Sequence, residues 1–329
     1  MIISRTPFRI SFAGGGSDLR AFYERRTGAV VSTTINKHVY VSVNPRFDHT
    51  VRVSYTKTEI VETANQLQHE LAREVLQMAG ISGGIEIVTI ADVPAGTGLG
   101  SSSSVTVGIL NAVYAYTERF RSAEQLAQQS CHIEIDVIRK PIGKQDQYSA
   151  AYGGLNYIEF NPDESVTVQP IICAAKTKRL LESRLLMFFT GVRGDCANIL
   201  AEQQEDTRKG GDKQEILTEM VDIARGMRDS LQQDDLDSFG VQLHHNWELK
   251  KRMNHGISNP AIDRWYEQAR RAGAHGGKIL GAGGSGFLLL YCEEESHTAV
   301  RQAMKAEGLR EFPIRFDGQG SRIIYVGRE

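Results

Sequence analysis

Residues 94–110, PAGTGLGSSSSVTVGIL, limit the possible folds of this chain more than any other stretch. Three glycines and four consecutive serines run without a break into apolar residues. A flexible linker would be polar on both sides. Here residues 85–90 (IEIVTI) read as a strand in front, and Val105, Ile109, Val113 and Tyr116 fall on one helical face behind, with Val107 and Leu110 on its flanks. The segment is therefore a tight loop joining a strand to a buried helix. At such a junction backbone N–H groups and the positive end of the helix dipole can hold an anion. Glycines let the backbone curl and approach phosphate oxygens, and serine hydroxyls can bond phosphate or a hard cation. A Walker A loop is excluded because no lysine follows Gly100, and a Rossmann turn because Gly96, Gly98 and Gly100 are spaced GxGxG.

The remainder of the chain is mixed in character. Residues 38–44 alternate as a half-buried strand, with 51–55 its partner across the turn PRFDHT. Thr63 and Gln66 fit a capping box for a helix whose stripe is Leu67, Leu71, Val75 and Met78, with Gly80 at the C-cap. A second capped helix starts near Ser122 and runs to about Val137. Further on, the patterns predict a strand at 185–190 and helices at 196–205, 213–232 and 235–253. The polar stretch 208–213 (RKGGDK) is expected to be a mobile loop. A helix at 260–272, strands at 277–281 and 285–291, a helix at 295–306 and strands at 312–316 and 323–327 complete the chain. Strands and helices without regular βαβ alternation indicate an α+β fold. The 329 residues suit two domains, placed at 1–170 and 171–329 with the boundary in the region 160–180.

The 38 basic and 40 acidic side chains nearly cancel, so no broad field attracts nucleic acid or an anionic membrane. Any anionic ligand must be held by a local arrangement. No apolar run approaches the ~18 residues of a membrane span, and no signal peptide opens the chain, which leads us to expect a cytoplasmic protein. The four cysteines (Cys131, Cys173, Cys196, Cys292) are scattered, with no CxxC and no histidine at zinc spacing. The run 281–286 (GAGGSG) matches GxGxxG, but an extended apolar run follows it rather than a helix. It reads as a glycine turn between two strands, close to a ligand.

Three glycine-rich segments stand in order: 9–18 (RISFAGGGSD), 94–104 (PAGTGLGSSSS) and 278–286 (KILGAGGSG), joined by 143–148 (GKQDQY). This set resembles the GHMP kinases over essentially the whole chain. TPFRISFAGGGSDL, TGLGSSSS, PIGKQDQYSAAYGGLN and FFTGVR look closer still to one branch, the D-glycero-D-manno-heptose 7-phosphate kinases. The resemblance implies a two-domain α+β GHMP kinase fold with the active site between the domains. It implies ATP on the loop formed by Pro94, Gly96, Gly98, Leu99, Gly100, Ser101, Ser102, Ser103 and Ser104, with Mg²⁺ held by Ser102 and Glu134. Asp146 matches the catalytic aspartate and Arg9 a basic residue near the transferred phosphate. Ser17 and Asp18 fall where related kinases bind sugar hydroxyls, although GGGSD replaces the GEHTD of galactokinase and argues against galactose.

The implied reaction is ATP-dependent phosphorylation of the anomeric hydroxyl of heptose 7-phosphate to the 1,7-bisphosphate. The alternative is an unphosphorylated sugar such as fucose, or a non-catalytic sugar-binding relative. A substrate that already carries phosphate needs a second anion site, for which Lys144 and Arg193 are the candidates, ahead of Arg20 and Lys37. Lys278 reads as a scaffold residue, and Gly283 and Gly284 as a loop shaping the substrate pocket. The expected partner is a small sugar or sugar phosphate, without nucleic acid or membrane. A homodimer is compatible with the sequence.

Overall fold

One long strand organises the architecture. The computed structural model describes residues 1–191 and 196–327. The chain opens with β1 (Ile2–Ala13), a short helix α1 (Arg20–Tyr23) and then β2 (Gly28–Pro45), 18 residues long. β3 (Val51–Ser54), β4 (Thr58–Val61), α2 (Glu70–Ala79) and β5 (Ile85–Ala91) follow. After the glycine loop come α3 (Ser101–Tyr116), α4 (Ala123–Cys131), α5 (Gln145–Tyr152), β6 (Leu155–Phe160) and β7 (Val166–Pro170). The second half contains α6 (Ala175–Ser183), β8 (Leu185–Gly191), α7 (Cys196–Lys209), α8 (Asp212–Gln232), α9 (Leu236–Met253) and α10 (Pro260–Arg271). It closes with β9 (Gly276–Ile279), β10 (Gly286–Tyr291), α11 (His297–Ala306), β11 (Arg310–Glu311), β12 (Phe316–Asp317) and β13 (Arg322–Val326).

β2 pairs with β1 along most of its length, with β6 through Gly28–Thr33 and with β5 through Val39–Pro45. This builds a nine-stranded sheet in which only β3 and β5 run parallel. The chain's last strands return to it: β12 pairs with β2 and β13 with β1. A second, antiparallel sheet has the order β11-β8-β10-β9. α3, buried on most sides, packs on β1 and β2, while α8 and α9 cover both sheets. Phe239 of α9 lies fully buried between them. Its ring meets Phe12 of β1 edge-on at 5.2 Å and Tyr291 of β10 at 5.3 Å.

Five local expectations are corrected by the structure. The strand at 51–55 forms as β3, but it pairs with β4 and, in parallel, with β5, which lies between it and β2. The Thr63–Gln66 capping box is formed, but it caps a 3₁₀ turn (Ala64–Gln66), and α2 starts later, capped by His69. Residues 208–213 are not an extended loop: α7 ends at Lys209 and α8 begins at Asp212, with Gly210 and Gly211 as the joint. The helix capped by Ser122 and Gln125 turns π-helical over His132–Val137. β11 and β12 flank residues 312–315, so the strand expected at 312–316 is confined to Phe316–Asp317. The turn at 280–285 does join two strands, as the sequence indicated. No helix among the described residues is long and apolar enough to cross a membrane.

Removing a buried ring that touches both sheets leaves a cavity that neither can close. Phe239→Ala is therefore expected to cost about 3–5 kcal/mol in urea unfolding. A loss below about 1 kcal/mol would show that the ring does not couple the sheets.

Candidate active site

Arg9 sits in the middle of β1 and is nearly inaccessible, 4% exposed. Its Nε donates to Asp146 Oδ1 at 2.7 Å and its Nη2 to Oδ2 at 2.8 Å, a two-pronged charged pair. Its Nη1 donates to the Gly98 carbonyl at 2.6 Å and its backbone N–H to the Leu99 carbonyl at 3.1 Å. Asp146 is in the first turn of α5. Gly100 caps α3 in the left-handed region (φ +75°), and a Cβ there would lie 3.2 Å from Asp146 Oδ2. Its left-handed backbone angle favours glycine, and a Cβ would crowd the Asp146 carboxylate.

The N-terminus of α3 opens onto a cleft of about 220 Å³, walled on this side by Gly96, Gly98, Gly100, Ser101, Ser102 and Ser103. Pro94, Leu99 and Ser104 shape the loop from behind. Leu99 lies in the core, Ser104 Oγ donates to the Pro7 carbonyl at 2.9 Å, and the Pro94 carbonyl accepts from Thr97 Oγ1 at 3.0 Å.

Ser102 Oγ donates to Glu134 Oε1 at 2.7 Å. Glu134 is fully buried on the π-helical turn, where the Ile138 N–H reaches back five residues to the Ile133 carbonyl at 2.9 Å. Gln147 Nε2 donates to Oε2 at 2.9 Å. Lys140 Nζ donates to Ser102 Oγ at 2.7 Å and to Glu134 Oε1 at 3.2 Å, balancing the buried carboxylate. Sequence reading missed Lys140; a lysine six residues beyond Glu134 carries no local mark. A buried carboxylate and a hydroxyl in contact are a hard, oxygen-only pair that fits Mg²⁺. Among the described residues no group of three His, Cys, Asp or Glu side chains could hold a metal, so further ligands would come from phosphate oxygens and water.

The GGGSD turn after β1 forms the opposite wall. Asp18 is buried, with Oδ1 accepting from the Gly16 N–H at 2.8 Å and Oδ2 from the Gln145 N–H at 3.3 Å. Burial raises its carboxyl above the ordinary range and the nearby Asp146 charge adds to that, while the Gly16 N–H acts against it. Gly143 must lack a side chain because its Cβ would fall 1.9 Å from Asp18 Oδ2. The turn thus brings Asp18 into the cleft beside Asp146 and Arg9.

Other expected ligands lie elsewhere. Ser17 is fully buried; its Oγ lies 2.8 Å from the Gly14 carbonyl and 3.1 Å from that of Ala29, and it accepts from the Ala29 N–H, so it fastens the turn instead of facing the cleft. Lys144 points away: its Nζ bonds the carboxylate and, at 3.1 Å, the carbonyl of Glu164, and lies over the Tyr23 ring. Arg20 pairs with Glu164 and Asp136, and Lys37 lies over Phe312. Gly283 and Gly284 pack against Ile257 and Gly256, and it is Gly281 and Ala282 that reach the cleft. Arg193 lies outside the described residues.

Two further lysines line the cleft, neither of them given a binding role by the sequence. Lys250 on α9 is 5% exposed; its Nζ donates to the Gly15 carbonyl at 3.2 Å and to Gln203 Oε1 at 3.1 Å. Lys278 on β9, read above as scaffold, is 4% exposed and donates to the Phe12 carbonyl at 3.2 Å. Burial pulls the Lys250 ammonium down to about 8, with Asp18 acting against it. It pulls Lys278 down to about 7, helped by the neighbouring charges of Lys250 and Arg9. Between these values and the unfolded value near 10.5 the unfolded chain binds more protons, so stability rises with pH. Without added ligand, the melting temperature is expected to climb from pH 7 to 10, and Lys278→Met to flatten the climb. An unchanged slope in that variant would exclude Lys278 as its source.

Residues 54–154 match the GHMP kinases N terminal domain and residues 227–309 the GHMP kinases C terminal domain. The chain is 27% identical to the D-glycero-alpha-D-manno-heptose 7-phosphate kinase of Campylobacter jejuni over 93% of this chain and 94% of that protein. It is 25% identical to the L-fucokinase/L-fucose-1-P guanylyltransferase of Bacteroides fragilis, covering 92% of this chain and 35% of that one. The crystal structure of a D-glycero-D-manno-heptose 1-phosphate kinase from Bacteroides thetaiotaomicron superposes with a TM-score of 0.82 at 24% identity over all of both chains. With its glycine loop at the head of α3 and a paired Arg9–Asp146 beside it, the chain belongs to the GHMP kinases, phosphotransferases that act on an alcohol group.

Proposed function

We propose that the protein transfers the γ-phosphoryl group of ATP to the anomeric hydroxyl of a heptose 7-phosphate, giving the 1,7-bisphosphate. The observation that carries this reading is the Arg9–Asp146 pair held in one cleft with Asp18 and with Ser102, which bonds the buried Glu134 behind it. Full-length similarity to a heptose 7-phosphate kinase supports the acceptor.

In this reading the backbone N–H groups at the start of α3 hold the nucleotide phosphates. Ser102 and Glu134 would hold Mg²⁺, which when bound neutralises charge on the β- and γ-phosphates. Asp146 keeps lone pairs free beside its two bonds to Arg9; it orients the acceptor hydroxyl and takes its proton. Arg9 fixes the carboxylate in plane and offsets the negative charge that develops on the transferred group. Asp18 accepts hydrogen bonds from sugar hydroxyls. Because phosphoryl transfer proceeds through a loose transition state, this placement of charge carries most of the catalysis. An unphosphorylated sugar is the second reading, supported by the similarity to a fucokinase.

ADP release from ATP and Mg²⁺ in the presence of D-glycero-D-manno-heptose 7-phosphate is expected to exceed the no-sugar blank many-fold. Release at the blank rate, with turnover on an unphosphorylated sugar, would replace the proposed acceptor. Asp146→Asn is expected to lower kcat by about 10²–10⁴-fold with ATP affinity nearly intact. Unchanged turnover would remove Asp146 from the chemistry.

A further inference from the structure

Lys250 and Lys278 share an uncommon situation. Each is more than nine-tenths buried, and both line the cleft. Neither has a carboxylate within ion-pair distance among the described residues. Asp18, whose charge Lys250 feels, turns its oxygens to the Gly16 and Gln145 amides. A buried ammonium without a counter-charge is costly and is normally removed or paired.

We propose that Lys250 and Lys278 receive the phosphoryl group that the acceptor already carries, at a site separate from the nucleotide loop of α3. This rests on the reading of the protein as a sugar-phosphate kinase and names the groups that would select a phosphorylated acceptor. The donor count fits. Each ammonium has three N–H groups. Lys250 uses two, on Gly15 and Gln203, and Lys278 one, on Phe12, which leaves three between them. A phosphate monoester presents three acceptor oxygens and close to two negative charges. Ser11 Oγ and Gln203 Nε2, buried without a hydrogen-bond partner, line the same cleft and offer further donors. The lowered proton affinity of both lysines accords with a site built for an anion. The more exposed arginines Arg139 and Arg208, on an adjoining pocket that shares Asp18 and Lys140 with the cleft, are the competing location.

The test is calorimetric binding of mannose 6-phosphate and of mannose to the protein loaded with Mg²⁺ and a non-hydrolysable ATP analogue. The wild type is expected to bind the phosphate ester at least tenfold more tightly than the free sugar. Lys250→Met, of similar volume and without the buried charge, is expected to abolish that gain, and Lys250→Arg to keep part of it. Lys250→Gln serves if the Met variant does not fold. Absence of the gain in the wild type overturns the assignment. So does a gain that survives both Lys250→Met and Lys278→Met, or one that disappears in Arg208→Ala instead. A tenfold loss of analogue affinity in Lys250→Met without sugar would also overturn it, by assigning the lysine to the nucleotide. These readings use no turnover, so failure of heptose 7-phosphate as a substrate remains a separate result.

Discussion

The Arg9 guanidinium is the interaction around which the site is assembled. It bonds both oxygens of Asp146, the Gly98 carbonyl and, through its own backbone, the Leu99 carbonyl. One side chain thus connects β1, the glycine loop and α5, which lie about ninety and about a hundred and forty residues away in sequence. Burying a guanidinium is costly, and only a two-pronged carboxylate with further acceptors offsets that cost. A lysine has no planar fork and could not hold Asp146 in the same plane while reaching Gly98. The constraint spreads outward. Gly98 has no side chain because the Leu280 carbonyl would lie 2.3 Å from its Cβ, and a Cβ on Gly100 would crowd Asp146. The third glycine segment is therefore pressed onto the glycine loop before α3, and the two sheets meet at the cleft.

Much of this was legible in the sequence because its signals are local. Alternation marked part of β2, the cap near Ser122 marked α4, and Gly80 marked the end of α2. The loop before α3 was legible because glycine and serine followed by a helical apolar face have few other uses. α5 was not: Gln147, Tyr148, Ser149, Ala150 and Ala151 are all buried, so no polar face produces a period. The Thr63–Gln66 box misled because it specifies only its own turn and not the length of helix beyond it.

Within the site, motif residues could be located but the direction of their side chains could not. Asp18 and Ser17 are adjacent, yet one carboxylate faces the cleft and the other residue's hydroxyl is absorbed by its own turn. Lys144 is adjacent to Gln145 and two residues before Asp146, but the start of α5 swings it out to Glu164 and Tyr23. Lys250 shows the opposite failure. In the run ELKKRM it reads as one of several solvated charges at a helix end, and only the tertiary fold separates it from Lys251. The first is sealed under the GGG turn and the second pairs with Glu248 near the surface.

The distribution of charge in the cleft follows from these placements. The chain as a whole is slightly acidic, yet Arg9, Lys140, Lys250 and Lys278 converge on Asp146, Glu134 and Asp18. Two of the carboxylates are already committed, Asp146 to Arg9 and Glu134 to Lys140. Asp18 turns its oxygens to the Gly16 and Gln145 amides and acts on Lys250 only through its charge, and burial drives Asp18, Lys250 and Lys278 toward their neutral forms. A cleft of this kind is less stable alone than one lined with apolar or paired groups, and the deficit is local to the wall formed by β9, α9 and the GGG turn. A binding site can retain such a deficit only because a ligand that restores the missing charge is bound more tightly by the same amount. On the proposed reading of the cleft, the charge that Lys250 and Lys278 can carry would favour a sugar that already bears an anion over one that bears only hydroxyls.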